Sequence, residues 1–451
     1  MRIAVIGAGP TGLAAAYALS GRGANVVVFE STSVSGGMAR TVTVGEERIE
    51  AFYHHIFTSD EALVSLAEEI GLGDRLEWLP PRNALYSGER LYPFTTPGDL
   101  LRLGALPLMD RIRLGLFVLA ARRVRSWEHL EERTAREWAV ETGGKRVYET
   151  IWKPLLASKF DDYADQVGAT WLWNKTKLRG STRGKGQGRE ILGYFRGSFG
   201  VLYDTLTARI RAAGGEVRLN TPVLTIRSLS AIPQEEGTLL VRTPEGEEPF
   251  SKVLVTTAPA ELARMAPQLP EEFREALTAI PHQANLCALL ELSRPLSPYY
   301  WITVADEKFP FVALIEHTNL LPPARYGSSV VYLSRYLSPS APLFRADDET
   351  VAAVFLDGLS RLARTVERTS PGRMRWEPSL LKRIRIFRAD SAQHVATRGY
   401  GKRIPPHHTP IPNLYLNCMA QIYPEDRGQN YAIERGLRSP EILDFPGRSV
   451  P

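Results

Sequence analysis

The chain has 451 residues, of which 44% are hydrophobic and 23% charged, with a formal net charge of +5. That length exceeds one compact core, so at least two globular domains are expected, and the composition excludes disordered and fibrous classes. The two cysteines, Cys287 and Cys418, lie far apart, which excludes a disulfide framework and a cysteine-built metal site; no metal is expected. No uninterrupted apolar run reaches the roughly 18 residues needed to span a bilayer. The chain opens directly on a strand pattern, so no signal peptide is expected and a cytoplasmic location is, with contact at the inner face of a membrane as the further option.

Residues 3–12 read Ile-Ala-Val-Ile-Gly-Ala-Gly-Pro-Thr-Gly. A β-branched strand enters a glycine turn and then the helical stretch Leu13 to Leu19. Gly7 permits the tight turn, Gly9 lets backbone approach a pyrophosphate, and Gly12 lets helix and strand pack closely. The free N–H groups at the helix start then face the phosphates. A second strand, Asn25 to Phe29, ends in Glu30, near the spacing of a carboxylate that binds a ribose hydroxyl. Gly36-Gly37-Met38-Ala39-Arg40 follows, where two glycines again allow close approach and Arg40 can meet a phosphate with its planar fork.

Next comes Phe52-Tyr53-His54-His55-Ile56-Phe57. Neighbouring side chains on an extended segment point to opposite faces, so one of His54 and His55 is expected to face a ligand, beside Tyr53. A histidine there can exchange a proton near neutral pH. Glu61 to Gly71 is expected to be helical, burying Leu63, Leu66, Ala67 and Ile70. Leu100 to Ala121 carries a candidate apolar face of Leu101, Leu103, Leu114, Leu116, Phe117, Val118 and Leu119 beside basic residues, which suits either a packed helix pair or a membrane interface. Asn174 to Gly197 holds seven basic residues against Glu190 alone, and six glycines. That exceeds the net charge of the chain, so the remainder is close to neutral. The segment is expected to be a solvated loop or an anion-attracting lid. No reading motif or aromatic platform accompanies it, so nucleic acid is not expected as a partner. Alternation over Cys287 to Leu292 and Ser329 to Ser334 suggests an antiparallel sheet.

Glu30 followed by Gly-Gly-x-x-Arg resembles the amino-terminal signature of the flavin amine oxidase superfamily, which includes protoporphyrinogen oxidase, phytoene desaturase and, more distantly, UDP-galactopyranose mutase. The resemblance continues through Thr134 to Pro154, similar to a substrate-domain helix, Gly197 to Ile226, Val253 to Pro259, and Asn413 to Gly436, similar to the segment beneath the isoalloxazine. The His-Ile-Phe run at 55–57 resembles the mutase branch. One departure is Cys418-Met419 where many relatives carry Gly-Asp; Asp426, Arg427 or Asn430 are candidates for the missing contact.

The resemblance implies an α/β fold, with a Rossmann-type FAD-binding domain and a discontinuous α+β substrate domain. The expected cofactor-domain parts are 1–85, 197–283 and 399–451, and the substrate-domain parts 86–196 and 284–398. It implies FAD, held by Gly7, Gly9, Pro10, Thr11, Gly12, Glu30, Gly36, Gly37, Met38, Ala39, Arg40, Val223, Gln421, Arg427, Asn430, Tyr431 and Ala432. Tyr53, His54 and His55 are the expected catalytic candidates. The implied activity is hydride transfer between flavin N5 and a hydrophobic substrate of the prenyl/isoprenoid or tetrapyrrole class, with a phosphate on it as an option. The alternative is a non-redox isomerase working with reduced FAD. A hydrophobic small molecule and a peripheral membrane surface are the expected partners.

Overall fold

A computed structural model describes residues 1–96, 98–99, 102–181, 190–229 and 237–446. The centre of the expected lid, residues 182–189, lies outside the described residues. A five-stranded parallel sheet runs in the order Glu216–Arg218, Asn25–Phe29, Arg2–Ile6, Lys252–Val255, Leu414–Leu416. Ile3 to Ile6 and Val26 to Phe29 are buried without alternation, because helices cover both faces of such a sheet. The helix Pro10–Gly21 packs against the helix Gln429–Leu437. A Cβ on Gly436 would stand 2.5 Å from the carbonyl oxygen of Thr11, so only glycine lets the two ends of the chain close on each other.

The second large sheet has seven strands, in the order Leu381–His394, His282–Leu292, Ser329–Leu337, Ala313–Glu316, Trp301–Val304, Asn83–Ser87, Arg90–Pro93. It is antiparallel except where Trp301–Val304 meets Asn83–Ser87. The strand Asn83–Ser87 straddles residue 85 and lies wholly within this sheet. The period of two sorts its faces. Leu286, Ala288 and Leu290 pack on Val351, Phe355 and Leu359 of the long helix Asp348–Thr369. Cys287, Leu289 and Tyr332 join the core of the nucleotide domain. The register pairs Asn285 with Tyr336, Cys287 with Ser334 and Leu289 with Tyr332, so these six residues share the face turned to the nucleotide domain.

A helical layer follows Pro107: Leu108–Arg123, Ala135–Gly143, Lys153–Phe160 and Ala169–Ser181. Two expectations are corrected here. The helix read over 134–154 begins on a Thr134–Glu137 capping box but breaks at Gly144, whose φ is 87°. The segment read as a loop from Asn174 stays helical to Ser181, because Trp171, Leu172, Trp173, Asn174 and Thr176 are buried against neighbouring elements. The apolar face expected over 100–121 is divided. Leu103, Leu114 and Phe117 are core, whereas Leu108, Met109, Ile112, Leu116 and Leu119 are exposed.

Candidate cofactor and active site

The glycine turn sits at the carboxyl end of the parallel sheet, where a doubly wound fold binds its ligands. A Cβ on Gly12 would fall 1.9 Å from the Gly7 carbonyl oxygen, so the helix Pro10–Gly21 starts tight against the strand. Gly9 caps that helix without any side-chain bond, Pro10 occupies its first turn, and Thr11 is buried beside it. The first-turn N–H groups therefore have no intrahelical acceptor. Gly36 (φ 110°) and Gly37 (φ 56°) fold over this turn; Gly36 N donates to Ala8 O at 2.8 Å, and a Cβ on Gly37 would lie 3.2 Å from Gly9 Cα. The close approach of the second glycine pair is thus to the first glycine turn. The short 3-10 turn Gly37–Ala39 carries half-buried Met38 and buried Ala39.

Glu30 is half-buried. Its carboxylate accepts from Ala8 N (2.9 Å), Thr32 N (2.9 Å) and the Thr32 hydroxyl (2.8 Å). Asn220 N and Thr221 N donate to the carbonyls of Thr32 and Glu30, which brings the stretch leading to buried Val223 alongside this carboxylate. Arg40 is half-buried, and burial followed by the opposing pull of Glu30 sets its pKa below the usual guanidinium value. Its acceptors are the carbonyls of Gly37 (3.3 Å) and Arg388 (3.5 Å), and it stacks over Phe52 at 5.1 Å. Among the described residues no carboxylate lies within ion-pair distance of it. A half-buried guanidinium held by two long carbonyl bonds retains donors for an anion, so this corner fits a dinucleotide phosphate.

The aromatic-histidine segment crosses under the seven-stranded sheet. Tyr53 meets Trp301 edge-on at 4.9 Å and Tyr332 at 6.2 Å, and burial pushes its phenol well above the usual range. The histidines diverge as their alternation demands. His54 Nδ1–H donates to Phe52 O at 2.7 Å, and its ring lies against Phe199. His55 Nδ1 shares a hydrogen with Tyr300 Oη at 3.1 Å, and its ring meets Phe57 and Trp301. Burial holds His54 down to about 4, so it is neutral at neutral pH and offers Nε2 as an acceptor. That removes it from the near-neutral proton exchange the sequence suggested.

The carboxy-terminal cluster divides its labour. Gln421 is buried and spends its amide on Cys418 N (2.8 Å), Pro405 O (3.0 Å) and Leu416 O (3.2 Å); it braces the strand end. Asn430 Oδ1 accepts from Leu63 N at 3.0 Å and so fixes the helix Glu61–Glu69. Tyr431 is half-buried, and Ala432 N closes the first turn on Gly428 O at 3.1 Å. Gly428 caps the helix Gln429–Leu437 without a side-chain bond, giving a second open helix start. Gln429 receives the Tyr203 hydroxyl, and Tyr203 packs against Gly36, which ties this helix start to the second glycine pair.

Arg427 donates to the Tyr336 hydroxyl, and its Nε is buried without a partner. Tyr336 also acts on the Tyr53 phenol, adding to the rise that burial causes. Asp426 accepts from Trp171 Nε1 (2.9 Å), Lys159 Nζ (2.9 Å) and Lys175 Nζ (2.7 Å). Burial pushes this carboxyl up, but Lys159, Lys175 and Arg427 together hold it well below the usual carboxylate range. Tyr336, Tyr203 and Lys159 were not singled out from sequence, whereas Lys175 belongs to the basic segment read as a solvated loop or an anion-attracting lid. Tyr336 was within reach: the alternation Tyr332, Ser334, Tyr336 continues two residues past where the strand was ended. Lys159 carried no sequence signal, because its partner is more than 250 residues away.

The geometry therefore brings the two glycine-led helix starts together through Gly36, Tyr203 and Gln429, and sets Arg40, Arg427 and Tyr53 against strands of the seven-stranded sheet. Comparison with known proteins agrees. Residues 10–424 match the family of flavin containing amine oxidoreductases. Protoporphyrinogen oxidase 2, chloroplastic/mitochondrial, of Arabidopsis thaliana is 24% identical over 292 residues, 57% of this chain and 57% of that protein; the chain thus spans little over half the length of this relative. The fold is shared with a provisionally named protoporphyrinogen oxidase from Exiguobacterium sp. 255-15 (TM-score 0.74, 19% identity, 98% of each chain). It is also shared with reduced UDP-galactopyranose mutase (TM-score 0.74, 15% identity, 99% of this chain and 96% of that one). Since the family match takes in nearly the whole chain, the protein belongs to the flavin-containing amine oxidoreductases, a family of FAD-dependent oxidoreductases, and FAD is its cofactor.

Proposed function

We propose that the protein transfers hydride between flavin N5 and a hydrophobic small molecule of isoprenoid or tetrapyrrole type. The observation that carries this reading is the aromatic and thiol-bearing sheet face of Tyr332, Tyr336 and Cys287 above Tyr53, with Tyr53, His54, Tyr336 and Arg427 all half-buried. Bound FAD supplies the hydride chemistry at N5. In that setting Glu30 orients the ribose and Arg40 neutralises the pyrophosphate. Arg427 places positive charge under the sheet face, where charge develops on reduction. Neutral His54 offers Nε2 as a hydrogen-bond acceptor, Tyr53 keeps its proton, and the aromatic face excludes water from the reacting carbon.

The helix Leu108–Arg123 supports delivery of such a substrate from a membrane surface. Among the described residues, five of the eleven exposed large hydrophobic side chains lie on this one helix, beside exposed Arg113, Arg122 and Arg123. That pattern suits an interface-lying helix, and no helix among the described residues is long and apolar enough to cross a membrane. Anaerobic titration of the holoprotein with hydrophobic hydride donors tests the reading. The flavin band bleaches in proportion to substrate oxidised. Product that forms under dithionite with no net electron consumption overturns hydride transfer in favour of isomerisation.

A further inference from the structure

Asp426 is 7% exposed, yet its Oδ2 holds two ammonium groups at once, Lys159 at 2.9 Å and Lys175 at 2.7 Å. Trp171 Nε1 occupies the other oxygen at 2.9 Å. Both oxygens of the carboxylate are therefore engaged. Among the described residues it is the only carboxylate within ion-pair distance of Lys159 or Lys175, and none lies within that distance of the adjacent Arg427. Three cations thus share one anion in the interior. The other titratable groups facing them supply no negative charge: burial keeps His54 and His394 neutral, draws His282 toward its neutral form, and Tyr53 retains its proton. Buried charge that is left unbalanced is costly, and a cluster built this way is stabilised by an arriving anion.

The donors are open as well as charged. Each ammonium has three N–H donors, of which Asp426 takes one. The Lys159 side chain keeps 14% and that of Lys175 26% of its surface exposed, so both can be reached by a solute. Arg427 Nε is buried and has no partner. Apolar surface adjoins the cluster, since Lys159 lies over the rings of Trp171 (4.8 Å) and Phe160 (5.8 Å). Burial, with Lys175 and Arg427 opposing its charge, brings Lys159 down to about 7, and a bound anion would restore the ammonium.

We propose that Lys159, Lys175 and Arg427 form the receptor for an anionic group, a carboxylate or a phosphate, at one end of the hydrophobic substrate. The inference rests on the hydride-transfer reading and names the chemical class of substrate within it. The apolar body runs under the sheet face along Tyr336 and Tyr53, and the anionic end is fixed by the two lysines. Asp426 is a positioning residue that keeps the two ammonium groups side by side.

The test uses FAD-loaded protein and four probes: dodecyl phosphate, dodecanoate, dodecanol and inorganic phosphate. Binding is read from perturbation of the flavin absorption band and by calorimetry. Dodecyl phosphate or dodecanoate binds about tenfold or more tighter than dodecanol, as charge-assisted bonds require, and whichever is tighter identifies the anion. Lys159→Met and Lys175→Met bring the anionic probes to within about twofold of dodecanol, a difference worth less than one charge-assisted bond, with FAD content unchanged. Lys159→Arg and Lys175→Arg restore the preference, which separates lost charge from lost folding. Equal binding of dodecanol and the anions, no binding of any alkyl anion, or methionine variants that keep the preference overturns the receptor. Inorganic phosphate alone binding as tightly as dodecyl phosphate also overturns it, because the apolar body then contributes nothing. A flavin that responds to dodecyl phosphate yet never bleaches with any donor removes hydride transfer and leaves the receptor standing.

Discussion

Arg40 shows how a single side chain reports on a ligand. A guanidinium in this corner, with long bonds to two carbonyls and a ring beneath it, is under-satisfied as an ion. Arg40→Met should weaken FAD retention about ten- to a hundredfold, the worth of one or two charge-assisted bonds, measured by dialysis and flavin content. Retention equal to the parent protein contradicts its phosphate role. Glu50 makes a different point. It is 1% exposed and accepts from Tyr194 Oη (2.6 Å) and Phe199 N (2.8 Å), but burial outweighs these bonds and lifts it to about 7. A carboxyl raised on folding contributes stability that is fully present below about 4.5 and lost as pH rises through about 7. Glu50→Gln can still accept from Phe199 N, and its NH₂ can donate to Tyr194 Oη. The variant should match the parent near pH 4 and gain about 1–3 kcal/mol above pH 7. Denaturant unfolding across that range checks it; a difference that does not change with pH refutes the assignment.

At the scale of elements, the sequence already carried the strand-turn-helix at the amino terminus, the helix ending at Gly71, and Cys287–Leu292 and Ser329–Ser334 as strands of an antiparallel sheet. Each of these is a local pattern of glycine placement or period. What stayed hidden depends on distant partners. The continuation of the helix to Ser181 follows from tertiary burial that overrides a basic, glycine-rich composition. The entry of Asn83–Ser87 into the large sheet is a pairing with Trp301–Val304 across more than 200 residues. Which leucines of Leu108–Arg123 face out is set by what lies beneath it. Exposed positions there carry little stability, so Ile112→Glu with Leu116→Glu should change unfolding free energy by under about 0.5 kcal/mol. The same pair should cut co-sedimentation with anionic phospholipid vesicles about tenfold, the loss of one to two buried apolar side chains. Unchanged co-sedimentation contradicts a membrane-lying helix. Gly436 tests the helix contact: Gly436→Ala puts a methyl 2.5 Å from the Thr11 carbonyl oxygen and 2.6 Å from Ala14 Cβ. A cost of about 3 kcal/mol in unfolding free energy is expected, together with loss of FAD, because backbone cannot yield as a side chain would.

Over the whole molecule, the cofactor site is an assembly of chain ends. In the proposed site, residues 7–12 and 30–40 would supply the phosphate and ribose corner; the backbone of 220–221 bonds to that of 30–32, and a Cβ on Gly436 would meet Thr11 and Ala14. The nucleotide half was legible because glycines and Glu30 act through local backbone geometry. The grouping of Tyr53, Tyr336 and Arg427 and the pairing of the lysines with Asp426 were legible only in three dimensions, since each joins residues at least 90 positions apart. The central claim is that the two ends fold around one FAD. The most direct measurement is the flavin content and absorption spectrum of the purified native protein before and after incubation with excess FAD. The account predicts one tightly held FAD per chain, with a spectrum distinct from the free coenzyme. Folded protein that stays colourless with FAD in excess would contradict it.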